Sequence, residues 1–361
     1  MNAERIPTVV VGGGQAGLSV GYYLSRRGLP FVILDAHGRV GDAWRKRWDS
    51  LRLFTPARLN GLPGMPFPGP RHSFPTKHEM ADYLADYAAR FDLPVRTGVR
   101  VDRLSRNGSR FVVSSGEGSI EADNVVVAMG SYQKPRVPPF AGELDPAIVQ
   151  MHSTDYCNPS QLMDGGVLVV GAGNSGAEIA LEVSRSHRTW LSGRDTGQLP
   201  FRIEGPFARF VFAPIVLPFL AKRVLTVDTP IGRKARLRLL SHSSPLVPVK
   251  REDLAAAGVE RIPRTVGARG GLPLIEDGRV LEATNVIWST GFTPDFSWVD
   301  LPVFDGEENP IEPRHRRGIV AAMPGLYFVG LAFLYSVASG VLAGVGRDAG
   351  YVVDHIVARG R

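Results

Sequence analysis

Cysteine is nearly absent. Of 361 residues only Cys157 is a cysteine, so no disulfide can close within the chain, and a reducing, cytoplasmic setting is expected. The single thiol also excludes a C-x-x-C redox pair and a cysteine-held iron–sulfur centre. Cys157 itself reads as a small buried apolar group. Long hydrophobic runs are missing too. The longest, FVFAPIVLPFLA at residues 210–221, has twelve residues and is broken by Pro214 and Pro218, too short to span a bilayer. The chain enters a strand after a few polar residues, so no signal peptide is expected. There is no His/Asp/Glu grouping with metal-ligand spacing, no G-x-S-x-G elbow and no low-complexity segment. Neither a metal nor a serine-hydrolase site is expected.

What is present is a globular composition, 44% hydrophobic and 21% charged, with length enough for two ordinary domains. The net charge of +7 suits anionic ligands. Lys and Arg are scattered, without an aromatic-studded basic stripe, so nucleic acid is not an expected partner.

One device occurs twice. VVVGGGQAG begins at Val9 and LVVGAGNSG at Leu168: an apolar run, then three glycines in the pattern G-x-G-x-x-G. In the first copy Gly12 allows the tight turn after a strand, Gly14 lets backbone approach a pyrophosphate, and Gly17 lets the helix pack close to the strand. The phosphates then meet the unpaired N–H groups of a helix N-terminus, at Gln15 and Ala16. Asp35 follows at the end of the next strand, where a carboxylate accepts hydrogen bonds from a ribose diol. Gly171, Gly173 and Gly176 repeat the geometry, with Asn174 and Ser175 opening the helix. Here the next strand ends in Ser192, Gly193 and Arg194. An arginine pairs with a 2′-phosphate that a carboxylate would repel, so NADPH is expected over NADH, although Asp195 is adjacent. The first cradle is assigned to FAD and the second to NADPH, with hydride passing from nicotinamide to flavin.

Along the chain, strands are expected at 8–11, 31–34, 125–128, 167–170, 188–191, 286–288 and 327–329, and helices at 16–27, 77–91, 177–186 and 341–358. Residues 56–75 read as a proline- and glycine-rich loop, and 111–114 with the segment around Ile120 as a small antiparallel meander. Residues 205–244 could form a helical lid over a substrate entrance, a membrane-surface patch or a core-packed insert; Arg233, Lys234, Arg236 and Arg238 are most simply a solvated face. The fold class is α/β, with two Rossmann-like domains: a discontinuous FAD-binding domain of residues 1–156 and 291–361, and an NADPH-binding domain of residues 157–290 inserted into it.

Nearly the whole chain resembles the flavin-containing monooxygenases (class B flavoprotein monooxygenases), above all their short bacterial branch, and is similar to the plant flavin monooxygenases of auxin synthesis. The resemblance rests on VVGGGQAG with Asp35, GDAW at 41–44, LRLFTPARL, FPTKHEMADYLADYA, VVVAMGSYQKPRVPPFAG, HSTDY at 152–156, VVGAGNSGAEIA, WSTGFTPDF at 288–296 and PGLYFVGL at 324–331. It implies a glutathione-reductase-like architecture. It places Trp44 against the flavin, and Ala128, Gly130, Thr290 and Gly291 where the chain crosses between domains beside a cofactor. Gly330 joins the flavin-side residues, and a helix starting near Gly340 sets its positive end against the flavin's pyrimidine edge. His152 and Tyr156 match the end of the family fingerprint, whose F-x-G start is displaced to Phe140 and Gly142; His152 is read as a hinge and packing residue more than a proton donor. Thr55 stands about where animal-type members carry an asparagine near the flavin, and Asn60 is displaced. Thr55, His152 and Tyr156 are the candidate catalytic residues.

The implied activity is that of an NADPH-dependent monooxygenase that forms a C4a-(hydro)peroxyflavin and passes one oxygen atom of molecular oxygen to a small organic substrate at a heteroatom or carbonyl. The alternatives are an NADPH-dependent reductase feeding a quinone or carrier protein, and a nucleotide-binding redox regulator. A homodimer is left open.

Overall fold

The computed structural model describes residues 4–241, 244–304 and 313–360; residues 242 and 243, at the end of the expected lid, lie outside them. Two five-stranded parallel sheets organise the chain. The first runs, edge to edge, Leu326–Phe328, Asn124–Val127, Thr8–Val11, Phe31–Asp35 and Val95–Thr97. The second runs Val149–His152, Asn285–Trp288, Val167–Val170, Thr189–Ser192 and Glu260–Ile262. In each the glycine-loop strand is central, and all of its residues are buried. This suits a short branched run covered on both faces by crossover helices.

The helices of the two β-α-β units are Gln15–Arg26 and Asn174–Val183. The second starts three residues before the expected 177, because Gly173 has extended dihedrals and Asn174 already turns into the helix. The C-terminal helix Leu342–Arg359 packs on Gln15–Arg26. Lys77–Arg90 is closed by a capping box, in which the Thr76 hydroxyl accepts from Glu79 N–H and the Glu79 carboxylate accepts from Thr76 N–H. That reciprocal pairing satisfies two otherwise orphan donors.

A four-stranded sheet of Glu4–Arg5, Gly118–Ala122, Arg110–Ser115 and Val101–Asn107 contains the expected meander. Several features escaped the pattern, among them the edge strands Val95–Thr97 and Glu260–Ile262. The hairpin Thr265–Arg269/Leu272–Ile275 turns through Gly270 and Gly271, both at positive φ; the Gly-Gly pair was its signal. Val149–His152 joins the second sheet beside Asn285–Trp288, although the division at residue 157 counts it with the first domain. Cys157 is half-buried and not fully buried, and its N–H donates to Gln161 Oε1. Among the described residues no helix is long and apolar enough to cross a membrane, and no group of three or more His, Cys, Asp or Glu is arranged to hold a metal.

Candidate functional site

The first cradle is built by steric exclusion. Gly12 has φ +109°, and a Cβ there would stand 2.8 Å from the Ala128 carbonyl oxygen. A Cβ on Gly17 would lie 1.8 Å from Gly12 O, so only glycine lets this helix reach its strand. Gly14, in contrast, has nothing within 4 Å of its Cβ direction. That open space faces a helix N-terminus with no side-chain cap and no acid in its first turn. The N–H groups of Gln15, Ala16 and Gly17 lie at this end, and such an end attracts an anion.

Asp35 closes the cradle. Its Oδ2 accepts the Gly13 N–H at 2.8 Å, and its Oδ1 accepts the His37 N–H at 2.8 Å and faces His37 Nδ1 at 2.9 Å. Burial opposes ionisation, but the hydrogen bonds from the His37 ring and backbone outweigh it, and the carboxyl lies below its ordinary range. The anion thus keeps lone pairs for a diol. His37 was not anticipated; its only signal is its place two residues after the acid. Trp44 lies in the short helix Asp42–Arg45, half-buried against the core beside Gly41, whose φ of +91° and closeness to Ala81 O admit only glycine. Gly330, φ +84°, sits against Ala16, and Gly340 precedes the uncapped N-terminus of Leu342–Arg359.

The second cradle repeats the first. A Cβ on Gly171 would stand 2.2 Å from Ser289 O, and one on Gly176 1.8 Å from Gly171 O. The helix after Gly173 has neither a side-chain cap nor an acid in its first turn. Ser175 is exposed there. The Asn174 side chain turns away from the loop: its Nδ2 donates to Pro245 O at 3.1 Å and its Oδ1 accepts from Val247 N–H at 2.8 Å. Its backbone N–H remains available to an anion. Ser289 Oγ is buried beside the loop and has no hydrogen-bond partner among the described residues.

At the end of Thr189–Ser192 the Ser192 hydroxyl is consumed internally, by Pro263 O and by the Thr265 hydroxyl and N–H. Arg194 is exposed and has no hydrogen bond or ion pair among the described residues. The neighbouring acid is neutralised: Asp195 accepts from Gly197 N–H at 2.9 Å and pairs with Arg251 at 2.6 Å. These contacts, the Gly197 N–H foremost, hold its carboxyl below the ordinary range. Arg261 donates to Gly193 O at 3.4 Å, and burial lowers its pKa. Arg251 and Arg261 lie far from the strand in sequence and could not be read from it.

Between the cradles the chain crosses on a two-stranded ladder, Lys134–Pro135 with Phe292–Thr293. Gly130 (φ +72°) and Gly291 (φ +83°) turn into it after the strands that end near Ala128 and Ser289. The Thr290 hydroxyl donates to Arg136 O. The Gly291 carbonyl accepts from Arg136 N–H at 3.0 Å and from His152 Nε2 at 3.1 Å. On the other side of the ring, Nδ1 faces the Thr154 N–H and hydroxyl, and burial pushes the imidazole pKa down. The Tyr156 hydroxyl donates to Glu182 Oε2 at 2.8 Å, and burial raises its pKa. Thr55 donates to Asn60 Oδ1 at 2.5 Å, while the fully buried Asn60 returns a bond to Thr55 O at 2.9 Å. Thr55 and Asn60 therefore act as one unit. Arg47, which the sequence reading passed over, lays its guanidinium 5.8 Å from the Tyr132 ring centre and 5.7 Å from that of Phe292. A cavity of about 680 Å³ opens between the second cradle's helix and residues 49–76, lined by Asp49, Arg52, Glu178 and Glu182 among others. Burial raises the Glu178 carboxyl to about 8.

Two glycine loops with open anion-binding ends, one followed by a buried carboxylate and one by arginines, suit two dinucleotides and a hydride transfer between them. Comparison with known proteins agrees with that geometry. Residues 9–198 match the family described as pyridine nucleotide-disulphide oxidoreductase. The chain is 39% identical over 355 residues to the CzcO-like oxidoreductase of Geobacillus kaustophilus, covering 98% of each. It is 29% identical over 332 residues to an indole-3-pyruvate monooxygenase of Oryza sativa subsp. japonica, covering 83% of this chain and 78% of that one. Its structure superposes on a variant of the flavin monooxygenase from Stenotrophomonas maltophilia with a TM-score of 0.81 and 30% identity, over 99% of this chain and 100% of that one. The chain belongs to the pyridine nucleotide-disulphide oxidoreductase family, as an oxidoreductase with a flavin-monooxygenase-type fold.

Proposed function

We propose that this protein is an NADPH-dependent FAD monooxygenase that oxygenates a small organic substrate with molecular oxygen. The carrying observation is the contrast between the two cradles. Asp35, ionised and held at Gly13, is suited to a ribose diol. Arg194, beside an aspartate already paired with Arg251, is suited to a 2′-phosphate. The relatives named as monooxygenases support the same reading.

FAD would be held by Gly12, Gly14, Gln15, Ala16, Gly17 and Asp35, with Trp44, Ala128, Gly130, Gly330 and Gly340 around it. NADPH would be held by Gly171, Gly173, Gly176, the N–H groups of Asn174 and Ser175, and Arg194, with Ser192 bracing the strand end and Thr290 and Gly291 at the crossing. The division follows as 1–156 with 291–361 for FAD and 157–290 for NADPH, with Val149–His152 reaching across to pair in the second sheet. When bound, FAD would supply oxygen activation and NADPH the reducing equivalents. The protein's part is orientation and dryness. His152 and Tyr156 hold the crossing and the second helix in place, and the Thr55–Asn60 pair is the polar group offered on the 49–76 side.

The test is rapid mixing of NADPH-reduced protein with oxygenated buffer. A persistent species absorbing in the near ultraviolet before the oxidised flavin returns is expected. Immediate return to oxidised flavin would instead indicate a reductase that feeds a quinone or carrier protein. Failure of NADPH to reduce the protein would indicate a nucleotide-binding regulator.

A further inference from the structure

We propose that residues 207–240 form a docking surface for an anionic lipid bilayer. The inference is independent of the cofactor reading. The segment inverts the usual packing of a helix. A helix packed on a core turns its large apolar side chains inward. In the segments Ala208–Val216 and Leu220–Val224 the buried positions are alanines, Ala208, Ala213 and Ala221. Several large side chains point out, while Phe212, Val216 and Leu217 are half-buried. Phe207, Val211, Ile215 and Phe219 recur every fourth residue and are 49%, 40%, 62% and 59% exposed. Pro214 and Pro218 lack N–H groups, so the ordinary i→i−4 ladder cannot close through them and the helix widens. A spacing of four stays in line along such a widened helix. The following helix, Pro230–Ser241, exposes Ile231, Leu237 and Leu240 at 63%, 69% and 47%. Contiguous apolar exposure of this kind marks a docking surface.

The charge chooses the occupant. Residues 205–241 contain seven Lys and Arg and one acid, Asp228. Lys222, Arg223 and Lys234 are exposed and have no ion-pair partner among the described residues. A second copy of this chain on the same face would bring like charges together. Large apolar side chains beside unpaired cations match an anionic headgroup layer over acyl chains. The segment is also fastened from below. The buried Thr226 bridges to Ser336, Val227 N–H donates to Tyr335 O at 2.9 Å, and Val337 N–H donates to Leu225 O at 3.1 Å. Arg58 donates to Arg209 O at 2.8 Å. The anchors hold the small-residue side and leave the large-residue side uncovered.

The test is co-sedimentation of the full-length chain with vesicles of phosphatidylcholine alone and of phosphatidylcholine mixed with phosphatidylglycerol, at low and at high salt. Binding to the mixed vesicles that weakens at high salt is expected. Lys222→Glu with Arg223→Glu should weaken it about 30-fold. Ile215→Ser with Phe219→Ser should weaken it about tenfold or more. All four side chains are exposed, and an unchanged melting temperature would show that each variant folds. Absence of binding to the mixed vesicles overturns the proposal, as does equal binding to both vesicle types. So does a chain that is dimeric in solution, is made monomeric by Ile215→Ser with Phe219→Ser, and ignores vesicles.

Discussion

Asp35 Oδ2 accepts the Gly13 N–H at 2.8 Å, so the acid that ends the second strand also holds the glycine loop that follows the first. One carboxylate sets the shape of the loop and presents charge beside it. Asp35→Ala removes both functions and leaves the Gly13 and His37 donors unpaired. An unsatisfied buried donor costs about 1–3 kcal/mol. The variant is expected to lose flavin on purification and to melt lower, read as the ratio of visible to ultraviolet absorbance and by thermal denaturation. Full flavin content in Asp35→Ala would sink the assignment of the first cradle.

Arg194 should separate the two nicotinamide cofactors. Arg194→Ala is expected to raise KM for NADPH about 10-fold to 100-fold and to leave KM for NADH nearly unchanged, since only one cofactor carries the 2′-phosphate. Arg251→Ala adds a second effect: it frees Asp195 as an uncompensated anion at the same strand end, which should repel NADPH and spare NADH. Steady-state kinetics with each cofactor decides the matter. Equal losses for both would point to a general fault in the domain.

His152 is a positioning residue on this geometry. Its ring spans Thr154 and the Gly291 carbonyl, and burial favours the neutral form. His152→Ala should lower stability by about 1–3 kcal/mol through the lost ring hydrogen bonds and the cavity. The pH–rate profile of the variant should keep its shape. A profile that loses one limb, at unchanged stability, would make His152 a proton donor instead.

Glu178 supplies a pH dependence of stability. Its folded pKa is pushed up to about 8 from the ordinary 4.5 because burial penalises the anion. The folded state thus holds the proton more tightly than the unfolded chain. The group costs nothing below about 4.5, and stability falls as pH rises through the window up to about 8, by at most about 1.4 kcal/mol per unit. The cavity beside Glu178 admits solvent and reduces that slope. Glu178→Gln cannot ionise, so it should melt higher than the parent at pH 9 and alike at pH 4. Parallel melting curves at both values would refute the shift.

The Thr55–Asn60 pair predicts coupled behaviour. Thr55→Val removes the hydroxyl bond, and Asn60→Ala removes that bond and the one to the Thr55 backbone carbonyl, so the double variant should be little worse than Asn60→Ala alone. A coupling energy of about 1–2 kcal/mol is expected for residues in direct contact, measured by denaturant unfolding. Additive losses would show that the two side chains act separately.

Local pattern determined a great deal. The β-α-β units, their glycines and Asp35 were legible because each rests on short-range sterics: a turn at positive φ, a Cβ that would strike the next carbonyl, a helix end three residues on. Apolar runs of four residues marked the central strands because both faces of a parallel sheet are covered. Arg251 and Arg261 at the end of Thr189–Ser192, the Asn60 amide around Thr55, the His152 contact with Gly291 and the strand Val149–His152 were decided only by tertiary structure. Each joins groups that are distant along the chain or whose partner is a backbone atom, and neither leaves a periodic trace. The outward turn of residues 207–219 belongs to the same class. Sequence marks those side chains as apolar, but which face is covered depends on where Thr226 and its neighbours fasten the segment to the rest of the fold.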